Sequence, residues 1–356
     1  VSGYCRGSCR GWFGCIVSPQ GWVILASPDG FNRDHSRALM MSDTHIVLSV
    51  YNGSQFVGEQ IRSIQDQTFR DWHLWIRDDG STDRTFSVLE EIVASDPRIF
   101  LHPGDGRQLG VSGGFSWLLE RLPDEAQHVF CCDADDVWLP GKMEQSMTAL
   151  LREEAGESGP ILVHTDLRVT DSKLQVLDQS LWHYLEISPE PVTLQRLVVE
   201  NIATGPTILM NRDLLEKVCP IPDSVPHHDW WITLVAAAFG RIVALPEATV
   251  LYRRHSENHT GEYTKMRNGL RQWTWKILGA PGRTGELRRW LAASARQAEM
   301  FLDRFEGELP REAQVMLKEY SEIPRLGLFK RKLRVFRLRA LPEHGIVRNL
   351  GLLLRA

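Results

Sequence analysis

From Thr44 onward, short apolar runs alternate with longer stretches whose apolar residues recur every three or four positions. His45–Val50 (HIVLSV) has the length and composition of a buried strand, and Val57–Gln67 follows with helical spacing. Leu74–Arg77 predicts a second strand, stopping at Asp78-Asp79-Gly80-Ser81-Thr82-Asp83, where Ser81 or Thr82 is placed to cap a helix through Ile92. A third strand is expected at Arg98–His102, followed by a Gly-rich loop and a helix over Ser112–Leu122. The fourth, His128–Cys132, runs into Asp133-Ala134-Asp135-Asp136. Strands alternating with helices in this way predict an α/β fold, with a Rossmann-like, mostly parallel sheet covered on both faces. After Pro160 the pattern loosens to a mixed region, with strands at Ile161–Val169, Thr207–Asn211, Arg241–Leu245 and Thr249–Arg253 and a helix from about Asp229 to Phe239. Beyond Tyr263 the chain reads as helical.

This divides the chain into an irregular extension (1–40), a catalytic-type domain (41–262) and a helical C-terminal extension (263–356). Residues 1–40 hold three of the six cysteines and no strong periodicity, and they lack the ordered basic start, apolar core and cleavage site of a signal peptide. They read as an upstream extension without a fold of its own, a start-site artefact ahead of Met40-Met41. The 356 residues are 43% hydrophobic and 24% charged, which excludes a disordered or fibrous chain. A net charge of -4 gives no basic field that would call for nucleic acid. No run approaches the ~20 apolar residues of a membrane span. The cysteines form neither a CxxC pair nor a spaced framework, so buried thiols in a reducing, cytoplasmic setting are expected.

Both acidic clusters fall at C-terminal ends of strands, the edge where open α/β sheets bind ligands. Asn52-Gly53 and Asp79-Gly80 suit tight turns, and Asp79 could equally accept a ring N–H from a pyrimidine. Asp133, Asp135 and Asp136 either form a solvated acidic turn or gather a divalent cation that removes their mutual repulsion. Hard oxygen ligands favour Mg²⁺ or Mn²⁺. In His227-His228-Asp229-Trp230-Trp231, an acid in the first helical turn suits the helix dipole, and desolvation by the tryptophans would make Asp229 a better base. The Arg253-Arg254-His255 cluster is a surface rim or a diphosphate clamp with a histidine on the cation.

In this order and at these spacings the motifs resemble the family 2 glycosyltransferases of the GT-A fold, over about residues 44–262. DADDVWLPGK, HHDWWITLVAAAFG and LYRRHSENHTG look like the bacterial rhamnosyltransferase group. The resemblance implies that Asp79 binds the uracil or thymine ring with Ser49 and Tyr51 beside it. Asp133 would lie near the ribose, Asp135 and His255 on the metal, Arg254 on the diphosphate, and Asp229 would be the catalytic base. Thr204, Gly205 and Trp230 are expected on the acceptor side. The implied reaction is inverting transfer of a sugar, rhamnose within the resembled group, from a dTDP- or UDP-sugar to a hydroxyl of a lipid-linked cell-surface glycan. Two motifs depart from the pattern: Gln108 and Gly114 stand where relatives usually carry Asn, and His228 where many carry Glu. A nucleotidyltransferase acting on nucleotide sugars would need a basic loop after the first strand, which VYNGSQF lacks. A metal phosphohydrolase would be expected to show more spaced His/Asp ligands.

Residues 325–356 contain nine Lys/Arg and one acid, Glu343, interleaved with Leu326, Leu328, Phe329, Leu333, Val335, Phe336, Leu338 and Leu341 at near-helical spacing. This is either an amphipathic pair of helices packed on the catalytic domain or an interfacial anchor for an anionic membrane surface. The second reading places the chain peripherally on the cytoplasmic face of the inner membrane.

Overall fold

The computed structural model describes residues 15–17, 23–25, 42–104, 106–190, 192–255 and 284–338. The first part carries β1 (Cys15–Val17), β2 (Val23–Leu25), β3 (Thr44–Val50), α1 (Val57–Gln65), β4 (His73–Asp78), α2 (Thr85–Val93), β5 (Ile99–His102), α3 (Gly110–Leu119) and β6 (His128–Cys132). Next come β7 (Val137–Trp138), α4 (Lys142–Glu154), β8 (Ile161–Thr170), β9 (Val176–Asp178), α5 (Leu181–Leu185), α6 (Leu194–Val199), β10 (Leu209–Asn211), α7 (Arg212–Val218), α8 (His228–Phe239) and β11 (Arg241–Arg253). Three helices follow, α9 (Thr284–Phe305), α10 (Arg311–Ser321) and α11 (Leu328–Arg337). Residues 256–283 and 339–356, which include the end of the His255 motif and much of the basic tail, lie outside the described residues.

One sheet organises the described residues, in the order β1-β2-β5-β4-β3-β6-β10-β8-β11-β7, with β9 on β8. β5, β4, β3 and β6 run parallel, the expected nucleotide-type half. β10 is antiparallel to both β6 and β8, and β8 and β11 are parallel again, giving the expected mixed half. The period-two alternation of the strands sends neighbouring side chains into two separate cores. Val47, Val129 and Cys131 pack with α3, α8 and α9 on one face. Ile46, Leu48, Phe130 and Cys132 pack with α1, α2 and α4 on the other. Both thiols are fully buried.

Four expectations are corrected. Residues 1–40 are not wholly irregular, because β1 and β2 form an antiparallel hairpin whose Val23 pairs with Leu101 on the sheet edge. Neither Ser81 nor Thr82 caps α2. Ser81 Oγ accepts the Asn52 N–H and the Thr82 N–H donates to Asn52 Oδ1, while Asp83 Oδ1 accepts the Thr85 N–H. The strands 241–245 and 249–253 are one strand, β11, whose register shifts around Ala248 absorb Pro246. Trp230 is not on the acceptor side but in the core, 4% exposed, donating its indole N–H to the Leu197 carbonyl and stacking on Trp290 of α9. Trp231 likewise meets Phe301 and Phe305, so the C-terminal extension is clamped to the back of α8 by aromatic packing.

Candidate active site

The C-terminal ends of β3, β4 and β6, the first turn of α8 and the segment after β11 converge on a cleft of about 330 Å³. Ser49, Tyr51, Asp79, Asp133, Asp135, Thr204, Asp229 and His255 all line it. Residues separated by up to about two hundred positions therefore share one cavity because parallel strands deliver their ends to one edge.

Asp79 reaches the wall with its carboxylate already engaged. Oδ1 accepts from Arg77 Nε at 3.3 Å and from the Leu109 N–H at 2.9 Å, and Oδ2 accepts from the Gly110 N–H at 2.8 Å. Arg77 is fully buried and also donates to the Arg107 carbonyl. In this structure Asp79 thus anchors the 107–110 loop. Behind that loop, Gly114 approaches Ser49 so closely that a Cβ would lie 2.1 Å from Ser49 Oγ.

The acidic loop splits by role. Asp136 is fully buried and accepts the Arg253 N–H at 3.0 Å. Asp133 and Asp135 face the cleft. Burial pushes the Asp133 carboxyl well above the usual carboxylate range, and the charges of Asp135 and Asp229 push it further. Asp135 Oδ2 meets His255 Nε2 at 2.8 Å. Among the described residues no three His, Cys, Asp or Glu side chains form a complete metal cage. The two acids and one imidazole nevertheless fit a cation that shares its coordination with a ligand's oxygens: the carboxylates are hard donors, and a cation beside Asp133 would relieve the repulsion that raises it.

Asp229 sits in the first turn of α8, where the helix dipole favours its charge. The Gly205 N–H donates to Oδ2 at 3.0 Å and the Trp230 N–H to Oδ1 at 2.6 Å, which fixes the carboxylate while it lines the cleft. Gly205 therefore serves Asp229 through its backbone. The tryptophans do not shield Asp229 as expected, since both turn into the core. His228 beside it is buried and stacks on Phe115 at 3.7 Å and 9°, and burial lowers its pKa to about 4.

Arg254 does not line the cleft; its Nη1 donates to the Tyr184 hydroxyl at 2.8 Å. The residue the sequence reading missed is Arg253, 3% exposed, whose guanidinium lies beneath the acidic loop. The only sequence signal for it was two adjacent arginines, without a sign of which one turns inward.

Residues 45–219 match the family described as Glycosyl transferase family 2. An uncharacterized glycosyltransferase from Nostoc sp. is 27% identical over 219 residues, covering 60% of this chain and 65% of the relative, so the chain spans less than two thirds of that protein's length. The dTDP-rhamnosyl transferase RfbG of Shigella flexneri is 25% identical over 60% of this chain and 73% of its own. Among solved structures, the mannosyltransferase PcManGT from Pyrobaculum calidifontis, in complex with GDP-Man and Mn²⁺, superposes with a TM-score of 0.50 at 17% identity, over 90% of this chain and 84% of that one. With its sheet order and strand-end acidic loop, the chain has the GT-A fold, and its residues 45–219 form a glycosyltransferase family 2 domain.

Proposed function

We propose that the chain is an inverting glycosyltransferase that moves a sugar from a nucleoside-diphosphate donor to a hydroxyl of a lipid-linked cell-surface glycan. The observation that carries this reading is the opening of Asp133, Asp135 and Asp229 onto one cleft at the C-terminal edge of the sheet. Ser49 and Tyr51 would flank the nucleoside, and Asp79 would take the base by exchanging one of its bonds to the 107–110 loop. A dTDP- or UDP-sugar, rhamnose foremost, fits the similarity to RfbG. Asp135 and His255 would hold Mg²⁺ or Mn²⁺, which supplies positive charge to the departing diphosphate; the Pyrobaculum protein is complexed with Mn²⁺ on the same fold. Asp229, held by the Gly205 N–H, would take the acceptor proton. Attack opposite the leaving group then inverts the anomeric carbon. Thr204, on the cleft wall, would face the acceptor.

A membrane surface is the proposed partner of α11. Phe329 is 82% and Leu333 60% exposed, one helical turn apart, beside exposed Lys330. Part of the basic charge serves packing instead: Arg334 pairs with Glu322 and Arg337 with Glu319. No helix among the described residues is long and apolar enough to cross a membrane. Peripheral association with the cytoplasmic face of the inner membrane is accordingly part of the proposal.

The deciding experiment incubates the protein with dTDP-, UDP- and GDP-sugars and Mg²⁺ or Mn²⁺ and measures nucleoside diphosphate release. Metal-dependent release from one nucleotide class supports the reading. No release from any donor, or equal release in excess EDTA, overturns it.

A further inference from the structure

We propose that Arg253 is the positioning residue that holds Asp135 and His255 in their cleft-facing arrangement. This rests on the reading of those two side chains as the cation-facing pair. Arg253 ends β11, and its side chain is 4% exposed. Its Nε donates to the Asp135 carbonyl at 2.8 Å and its Nη1 to the Ser172 carbonyl at 2.8 Å. Nη2 pairs with Glu59 of α1 at 2.5 Å, and its own backbone N–H donates to Asp136 Oδ1. One guanidinium therefore ties the acidic loop to α1 and to the turn after β8.

The same group reaches the imidazole through an aromatic ring. The Arg253 guanidinium carbon lies 4.7 Å from the Phe56 ring centre, and Phe56 lies 4.9 Å from His255. Asp135 and His255, which contact each other at 2.8 Å, are thus set from behind by one side chain. Its positive charge also offsets part of the mutual repulsion of the loop's three carboxylates. The planar fork matters as much as the charge, because a lysine ammonium cannot serve an Nε and two Nη partners along three directions. Groups that orient metal-facing residues change affinity by about 10–100-fold when they are lost.

The test compares the wild type with Arg253→Lys and Glu59→Gln, the latter taking the charge from one anchor at a half-exposed position. Mn²⁺ affinity is measured by electron paramagnetic resonance in the presence of UDP and, separately, dTDP, alongside the melting temperature and the Mn²⁺ dependence of turnover. The expected result for Arg253→Lys is a Kd for Mn²⁺ raised about tenfold. The Mn²⁺ concentration for half-maximal rate rises in parallel, while kcat at saturating Mn²⁺ stays within about twofold. Glu59→Gln gives a smaller rise at an unchanged melting temperature. If Arg253→Lys does not fold, Glu59→Gln alone decides. Unchanged Mn²⁺ affinity in every folded variant overturns the inference and leaves the functional reading standing. A wild type that binds no Mn²⁺ with either UDP or dTDP overturns both.

Discussion

A β-carbon on Gly114 would stand 2.1 Å from Ser49 Oγ, so α3 meets the end of β3 through a contact that only glycine admits. The Ser49 hydroxyl fills the space that any side chain at position 114 would claim. The two residues share one space, and Ser49 carries it to the wall of the cleft.

Gly114→Ala should therefore cost about 1–3 kcal/mol through overpacking and weaken UDP binding by displacing Ser49. The cost should shrink in a Ser49→Gly background, because the clashing atoms are then gone. A double-mutant cycle on urea unfolding measures this coupling; strictly additive effects would mean that α3 shifts as a body and the contact is not limiting.

Asp229→Asn should lower kcat by about 10²–10⁴-fold, the range for losing a general base. UDP affinity should stay within about twofold, because the substituted amide retains an oxygen for the Gly205 N–H. Isothermal titration with UDP and single-turnover transfer check the two halves separately. Near-normal turnover would remove Asp229 from the role of base.

Three buried histidines set an acid limit. Burial lowers the pKa of His45, His164 and His228 to about 4 each. Between that value and the ordinary 6.5, the unfolded chain binds these protons and the folded chain does not. Stability is therefore fully present above pH 6.5 and falls as the pH drops toward 4. His164, 0% exposed, faces Trp182 edge-on and lacks a hydrogen-bond partner for either ring nitrogen. His164→Phe should flatten that slope by about one proton, read from denaturant unfolding at pH 7, 6 and 5; an unchanged slope would show that His164 does not contribute.

The exposed pair on α11 gives a membrane test that leaves the fold intact. Phe329→Ser with Leu333→Ser should abolish co-sedimentation with anionic vesicles at low salt, with the melting temperature unchanged. The wild type should be released by raised salt. Wild-type protein that never sediments, or a double variant that still does, would assign α11 to packing alone.

Strand positions were legible because each central strand carries a short apolar run, at 46–48, 74–76, 99–101 and 129–132, followed by polar or turn-forming residues. That placed Asp79 and Asp133 on one edge, while Ser49 was singled out only by the family resemblance. Trp230 and Trp231 were not legible as core, since Trp290, Phe301 and Phe305 lie about sixty to seventy-five positions downstream and no local pattern announces them. Arg253 and Arg254 could not be told apart, because the register shifts around Ala248 break the two-residue period that would carry inside and outside along β11. Asp83 was overlooked as the α2 partner because Ser81 and Thr82, better caps by type, are engaged with Asn52.

Cys131 and Cys132, adjacent on β6, lie on opposite faces of the sheet in two separate cores. Burial raises both thiols far above their ordinary range, so in the folded protein neither is a nucleophile. The rate at which each is alkylated becomes a clock for the opening of its own layer. Equal rates for the two would mean that the helices on both sides leave the sheet in a single event, and unequal rates would identify the layer that parts first.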